Sequence, residues 1–162
     1  MKTTTLLLAK ENFKFSAGHF LIFDDKKAER LHGHNYQVKV DITIPPEEDL
    51  VAQGYFIDFN EFKKIIKARL DLWDEIVLLP EKHPDMKITV SGASMDVRFR
   101  DRHYVFPKNE VMLLPVMNTS VEQLSRLLAQ DFLEKFKKFK VNQVQVTVEE
   151  TRGQGATTVA GV

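Results

Sequence analysis

The chain has 162 residues, of which 43% are hydrophobic, enough for one core and short for two. Lys plus Arg and Asp plus Glu both number 23, so no long-range basic field recommends nucleic acid as a partner. Cysteine is absent, which excludes disulfides and thiolate ligands. The N-terminal apolar run is too short for a signal peptide and nowhere do about 18 apolar residues run together. The expectation is a soluble, cytoplasmic single domain over residues 1–162, with no membrane and no nucleic acid among its partners.

Thr5 to Ile22 suits a strand, with Phe13 and Phe15 on one face and Lys14 between them. Asp24-Asp25-Lys26-Lys27 reads as a charged turn. A second strand runs from about His34 to Ile44 on strict alternation and stops at Pro45-Pro46, neither of which donates to a ladder. Two long antiparallel strands are therefore expected to open the fold.

Asp58, with Glu61 at the third helical position, supplies the acceptors that a helix start needs. Phe62, Ile66, Leu70 and Trp73, with Ile65 beside them, form its apolar stripe, which is core and not a cofactor site. Residues 80–117 break this rhythm. Lys87–Val90 and Val97–Phe106 read as short strands, the latter folding back through Asp101-Arg102, so an inserted β-hairpin is expected, packing between subunits or covering a pocket.

Thr119 or Ser120 caps a second helix with the stripe Val121, Leu124, Leu128, Phe132 and Phe136. The cluster Lys135, Lys137, Lys138 and Lys140 fits its solvated end. Val141 to Glu149 alternates strictly, and Thr157 to Val162 offers a short last strand. The expected class is α+β, a small antiparallel sheet with two helices on one face. The other face then needs cover, and a lone sheet with open edges invites closure by further copies.

Chemistry concentrates in Phe15-Ser16-Ala17-Gly18-His19 and His32-Gly33-His34-Asn35-Tyr36. Residues i and i+2 of a strand share a face, so His32 and His34 point the same way. A His-x-His pair alone is more often a surface or hydrogen-bonded pair. Three imidazoles from His19, His32 and His34, with no fourth protein ligand, would make the open tetrahedral site of a catalytic zinc.

These two segments together resemble the paired zinc signature of the 6-pyruvoyl-tetrahydropterin synthase family, which includes the 6-carboxytetrahydropterin synthases of queuosine biosynthesis. Ile57-Asp58-Phe59, Asn118-Thr119-Ser120-Val121-Glu122 and Glu149-Glu150-Thr151 follow in the family's order. The resemblance implies the tunnelling fold (T-fold), in which sheets of several subunits close a barrel, usually a homo-hexamer built from two trimers with active sites at subunit interfaces. It also implies zinc on His19, His32 and His34, a pterin substrate such as 7,8-dihydroneopterin triphosphate, and Glu150 and Thr151 as substrate-binding residues, with Glu150 as the pterin anchor.

Two departures bear on the reaction. Most members carry a cysteine shortly before the first His of His-Gly-His, where this chain has Ala28 and Glu29, and the family's Leu-Asp-His stands here as Trp73-Asp74-Glu75. Leu70-Asp71-Leu72 offers a weaker alternative register. Glu29, Asp74 and Glu75 are thus the candidate proton carriers. Glu29-Arg30-Leu31-His32-Gly33-His34 resembles the subgroup in which Glu replaces Cys and the side chain is cleaved to 6-hydroxymethyl-dihydropterin, for folate biosynthesis.

A Glu at that position serves as base if burial raises its pKa toward neutrality, and is otherwise an exposed acid in a charged turn. His103 is a further candidate to replace the lost histidine, and His83 a loop residue. The alternatives are a standard lyase giving 6-pyruvoyl- or 6-carboxy-tetrahydropterin, as in tetrahydrobiopterin or queuosine biosynthesis, and a pterin-binding homologue without turnover.

Overall fold

The computed structural model describes residues 3–46 and 52–162. Among these, seven strands form one sheet, three more form a second, and two helices pack on the first. The opening segment is not one strand. It makes β1 (Thr5–Leu8) and β2 (Lys14–His19), which pair with successive parts of the long strand β3 (His32–Thr43). A turn at Lys10 to Phe13 separates them, closed by the Phe13 N–H on the Lys10 carbonyl.

On β3 the alternation does what it implies: Tyr36, Val38, Val40 and Ile42 are wholly buried, while Lys39 is exposed on the reverse face. Helix α1 (Phe59–Asp71) starts at Asp58, whose carboxylate accepts the Asn60 N–H at 2.9 Å. It buries Phe62, Ile66 and Leu70; Trp73 lies just past the helix end and is buried too. Phe15 stacks on Tyr36 at 4.7 Å and meets Trp73 edge-on, joining the post-helix turn to the sheet.

Strand β4 (Ile76–Pro80) runs parallel to β2, extending the sheet beyond the antiparallel strands. The chain then leaves the sheet for three strands, β5 (Met86–Ser91), β6 (Ser94–Phe99) and β7 (Arg102–Pro107), before β8 (Val111–Leu114) returns parallel to β4. The insert is therefore a three-stranded meander rather than one hairpin. Its second turn is Arg100-Asp101, because Phe99 pairs with Arg102. Helix α2 (Val121–Phe136) is capped by Ser120, which accepts the Gln123 N–H, and it packs on β9 (Gln143–Thr151) and β10 (Gln154–Gly161).

The strand order is β10-β9-β3-β2-β4-β8, with β1 on β3. Both helices contribute to the core on one face. The reverse face is dealt with in two ways. At the β4–β8 end the meander covers it, burying Phe20, Ile22, Leu79, Met86, Met95, Val97 and Phe99 in a second cluster. Over β3, β9 and β10 it carries a polar ladder in which Gln145 bonds Asp41, Thr43 bonds Gln143 and Thr147 bonds Thr157.

Candidate metal centre and its rim

Strand register assembles the histidines. His19 ends β2 directly opposite His32, the first residue of β3, and His34 stands opposite Ala17, so all three side chains leave the helix-bearing face. Their nearest ring nitrogens lie within 4.8 Å of one another, and His32 Nε2 is 3.0 Å from His34 Nε2. Tetrahedral zinc with bonds of about 2.05 Å would hold such nitrogens about 3.3 Å apart.

Two rings are turned by carbonyl groups, which only accept. His19 Nδ1–H donates to the Thr119 oxygen at 2.9 Å, and His32 Nδ1–H to the Arg30 oxygen at 2.7 Å. Each is thereby left with a bare Nε2 toward the cluster, the tautomer that binds metal. His19 Nε2 is buried without a partner among the described residues, a costly state that a cation relieves. Burial, above all, lowers the His19 pKa; its Thr119 bond opposes this, and His32 and His34 lower it further. The ring is held neutral, as a ligand must be. The donor set fits a borderline-soft divalent ion with an open position.

Two carboxylates flank the cluster. Glu29 Oε2 lies 3.7 Å from His32 Nε2 and accepts the Leu21 N–H at 3.0 Å. The Glu29 N–H answers on the Leu21 carbonyl at 2.8 Å, fixing both ends of the residue. Its side chain is a third exposed, neither sunk in the core nor free in the charged turn. Opposite, Glu150 Oε2 lies 3.8 Å from His34 Nε2. Alternation along β9 sends Glu149 and Thr151 to the reverse face; Thr151 is exposed and bonds Gln154 at 3.0 Å, away from the histidines.

Within one chain Asp74 and Glu75 do not join the cluster. Asp74 accepts the Ser16 N–H at 2.8 Å, and the Glu75 N–H bonds the Ser16 carbonyl at 2.7 Å. Glu75 sits with φ at 57° beside a cavity of about 320 Å³ lined also by Ser16, Ala17, Gly18, Gly33, Asn35 and His34, so one histidine of the cluster borders the same space. His103 is also remote in role: it is exposed on the meander and pairs with Asp96 at 2.6 Å. His83 lies in the turn after β4, against Phe99.

Sequence reasoning missed the groups that hold the site. Asn118 accepts the Ile22 N–H and donates to the Ile22 carbonyl, and Thr119 supplies the oxygen that turns His19. The Asn-Thr-Ser run was legible as a helix start, but its carbonyl has no signature in sequence. Tyr36 packs edge-on to His19 and His34; burial raises its pKa, with Glu150 and Glu29 adding to the rise, so its hydroxyl stays protonated.

The 6-pyruvoyl tetrahydropterin synthase family model matches residues 8–160. A Methanocaldococcus jannaschii protein, provisionally named a 6-carboxy-5,6,7,8-tetrahydropterin synthase, is 27% identical over 146 residues, 88% of this chain and 87% of that one. The Haemophilus influenzae 6-carboxy-5,6,7,8-tetrahydropterin synthase is 32% identical over 76 residues, covering 47% and 48%. The crystal structure of Plasmodium vivax 6-pyruvoyl tetrahydropterin synthase superposes with a TM-score of 0.88 at 26% identity, covering 100% of both chains. Variants of that enzyme in which a glutamate described as a catalytic residue becomes Ala or Cys superpose equally well. By its match over nearly the whole length, the chain belongs to the 6-pyruvoyl tetrahydropterin synthase family.

Proposed function

We propose that the protein is a zinc-dependent enzyme that cleaves the side chain of 7,8-dihydroneopterin or its triphosphate, giving 6-hydroxymethyl-dihydropterin. The observation that carries this is the placement of Glu29. In a chain without cysteine, its carboxylate is 3.7 Å from His32 Nε2 at the rim of the three-histidine cluster. A glutamate is also a catalytic residue in the similar Plasmodium vivax enzyme.

His19, His32 and His34 would hold the zinc, which when bound supplies a cation that acidifies a nearby hydroxyl. Glu150 accepts hydrogen bonds from the amino and ring N–H groups of the pterin and fixes the side chain over the cluster. Glu29 removes the proton of the 2′-hydroxyl. The C1′–C2′ bond breaks, C2′ leaves as an aldehyde, and its electron pair passes through C1′ into the pterin ring. The proton then returns to C1′ from Glu29, so protons and electrons balance without an oxidant.

Asp74 and the Glu75 N–H are bonded to the Ser16 main chain and not to the cluster of their own chain, so we assign their part in proton transfer to the site of a neighbouring subunit in a homo-oligomer, here a hexamer of two trimers. Thr151, turned from the cluster, has no part in this scheme. The second reading is a 6-carboxy-tetrahydropterin synthase, favoured by the names of two relatives.

Mass-resolved products from dihydroneopterin and, separately, its triphosphate test the proposal. Hydroxymethyl-dihydropterin that disappears in Glu29→Ala supports it. A pyruvoyl or carboxy product replaces it with the second reading, and bound pterin without product leaves a binding protein.

A further inference from the structure

The meander is joined to the rest of the chain by more than its apolar cluster. Its second turn brings two arginines close to the Phe99 ring and aims both at one stretch, Ile22 to Arg30. Arg102 donates to the carbonyls of Ala28, at 3.1 Å, and of Glu29. Arg100 donates to the Asp24 carbonyl at 2.6 Å and to the Asp85 carboxylate at 2.8 Å. Both guanidinium groups lie over the Phe99 ring, at 4.7 and 5.7 Å, and Arg102 also lies 5.5 Å from Phe20.

Other bonds hold this stretch at its ends: Asn118 bonds both main-chain groups of Ile22, and Glu29 and Leu21 bond reciprocally. Between them the bridge from Ile22 to Ala28 and the Phe23 N–H on the Lys27 carbonyl tie its two arms, and its tip is turned by Asp24, which accepts the Lys26 and Lys27 N–H groups. The arginines add the only side-chain bonds from the meander to it among the described residues, and it carries Glu29 and the Arg30 carbonyl that orients His32. Arg100 adopts φ of 57°, a left-handed conformation that strains a non-glycine residue. A glycine would fit this turn with less strain but would lose both bonds.

We infer that the meander is a brace for the base, and that Arg102 is a positioning residue that sets the Glu29 carboxylate against the metal centre through the Glu29 main chain. Arg102 touches neither substrate nor metal ligand. Its rigid planar fork matches two consecutive carbonyls, which the point charge of a lysine on its flexible stem holds less firmly. This inference rests on Glu29 being the base of the proposed reaction. It also differs from the two roles expected of the insert, subunit packing and pocket cover, because it works within one chain.

The test is a double-mutant cycle on the zinc-loaded full chain with dihydroneopterin triphosphate, using Arg102→Ala, Arg102→Lys, Glu29→Ala and Glu29→Ala with Arg102→Ala. The expected results are a fall in kcat of about 10- to 100-fold in Arg102→Ala with little change in KM, and a smaller fall in Arg102→Lys. Zinc content stays at the wild-type value, and Arg102→Ala has no further effect once Glu29 is gone. Hydrogen exchange of the Leu21 amide, protected by the Glu29 carboxylate, quickens in Arg102→Ala.

Wild-type kcat in Arg102→Ala overturns the inference, as does an equal additional loss in the Glu29→Ala background, since either separates Arg102 from the base. Should Arg102→Ala fail to fold, Arg102→Lys with unchanged kcat and unchanged Leu21 exchange overturns it alone. Full turnover in Glu29→Ala instead removes the reading of Glu29 itself, an outcome distinct from a silent Arg102.

Discussion

His19 Nδ1–H donates to the main-chain oxygen of Thr119 at 2.9 Å, across 100 residues of sequence. The bond joins the end of β2 to the residue before the cap of α2. One bare imidazole nitrogen is thus aimed into the cluster by the start of a helix on the far side of the chain.

Single replacement of His19, His32 or His34 by Ala should therefore abolish stoichiometric zinc, measured by elemental analysis after dialysis. In the wild type, zinc should raise the melting temperature, because a ligand at 100 times its Kd stabilises by about 2.7 kcal/mol. Full zinc content in His19→Ala would place the metal elsewhere.

The cap offers a gentler perturbation of the same link. Ser120→Ala removes the acceptor for the Gln123 N–H and should cost about 1 kcal/mol of stability. Because the Thr119 carbonyl is fixed by that helix start, zinc affinity should also weaken, by up to about tenfold. A competition titration with a chromogenic chelator reads this out. Unchanged affinity with a lowered melting temperature would show that the carbonyl is held without the cap.

The parts of the fold that were legible in sequence are those with a local period. Alternation marked β3 and β9, helical stripes and acidic or hydroxyl caps marked α1 and α2, and the two histidine segments marked the cluster. Strands β4 and β8 were missed because Ile76-Val77-Leu78-Leu79 and Val111-Met112-Leu113-Leu114 are apolar runs buried on both faces, which carry no period. The break between β1 and β2 escaped because the turn at Lys10 to Phe13 carries no glycine or proline. The meander was read as a hairpin because Lys87–Val90 was not paired with the next strand across Gly92, whose φ of 58° makes that turn, although the second turn was placed within one residue of Arg100-Asp101. Within the site, Glu29 and Glu150 were legible, but the placement of Asp74 and Glu75 against Ser16 depends on the parallel pairing of β4 with β2, a long-range fact.

Glu150 should separate binding from metal. Glu150→Gln keeps the shape of the side chain but loses the charge that accepts from the pterin N–H groups, an interaction worth about 1.5–3 kcal/mol. Pterin Kd should rise about 10- to 100-fold with zinc content unchanged, measured by fluorescence titration. Equal affinity in wild type and variant would return Glu150 to an ordinary strand-end acid.

Acid should loosen the brace before the core. The Arg100 guanidinium bonded to Asp85 holds its carboxyl below the ordinary 3.8, and the Lys26 and Lys27 amides do the same for Asp24. A carboxyl whose folded pKa is depressed binds fewer protons in the folded state, so its contribution is complete above the unfolded value. It is lost as pH falls from there through the folded value. Wild type should therefore lose stability below about pH 4, with amides of β5 to β7 gaining exchange before those of β3 and β9. In Asp85→Asn the neutral-pH stability should be lower and the acid loss smaller, so the difference from wild type narrows as pH falls. Denaturant unfolding from pH 7 to pH 3 measures that difference, and a constant gap would mean that the Asp85–Arg100 pair adds nothing through its charge.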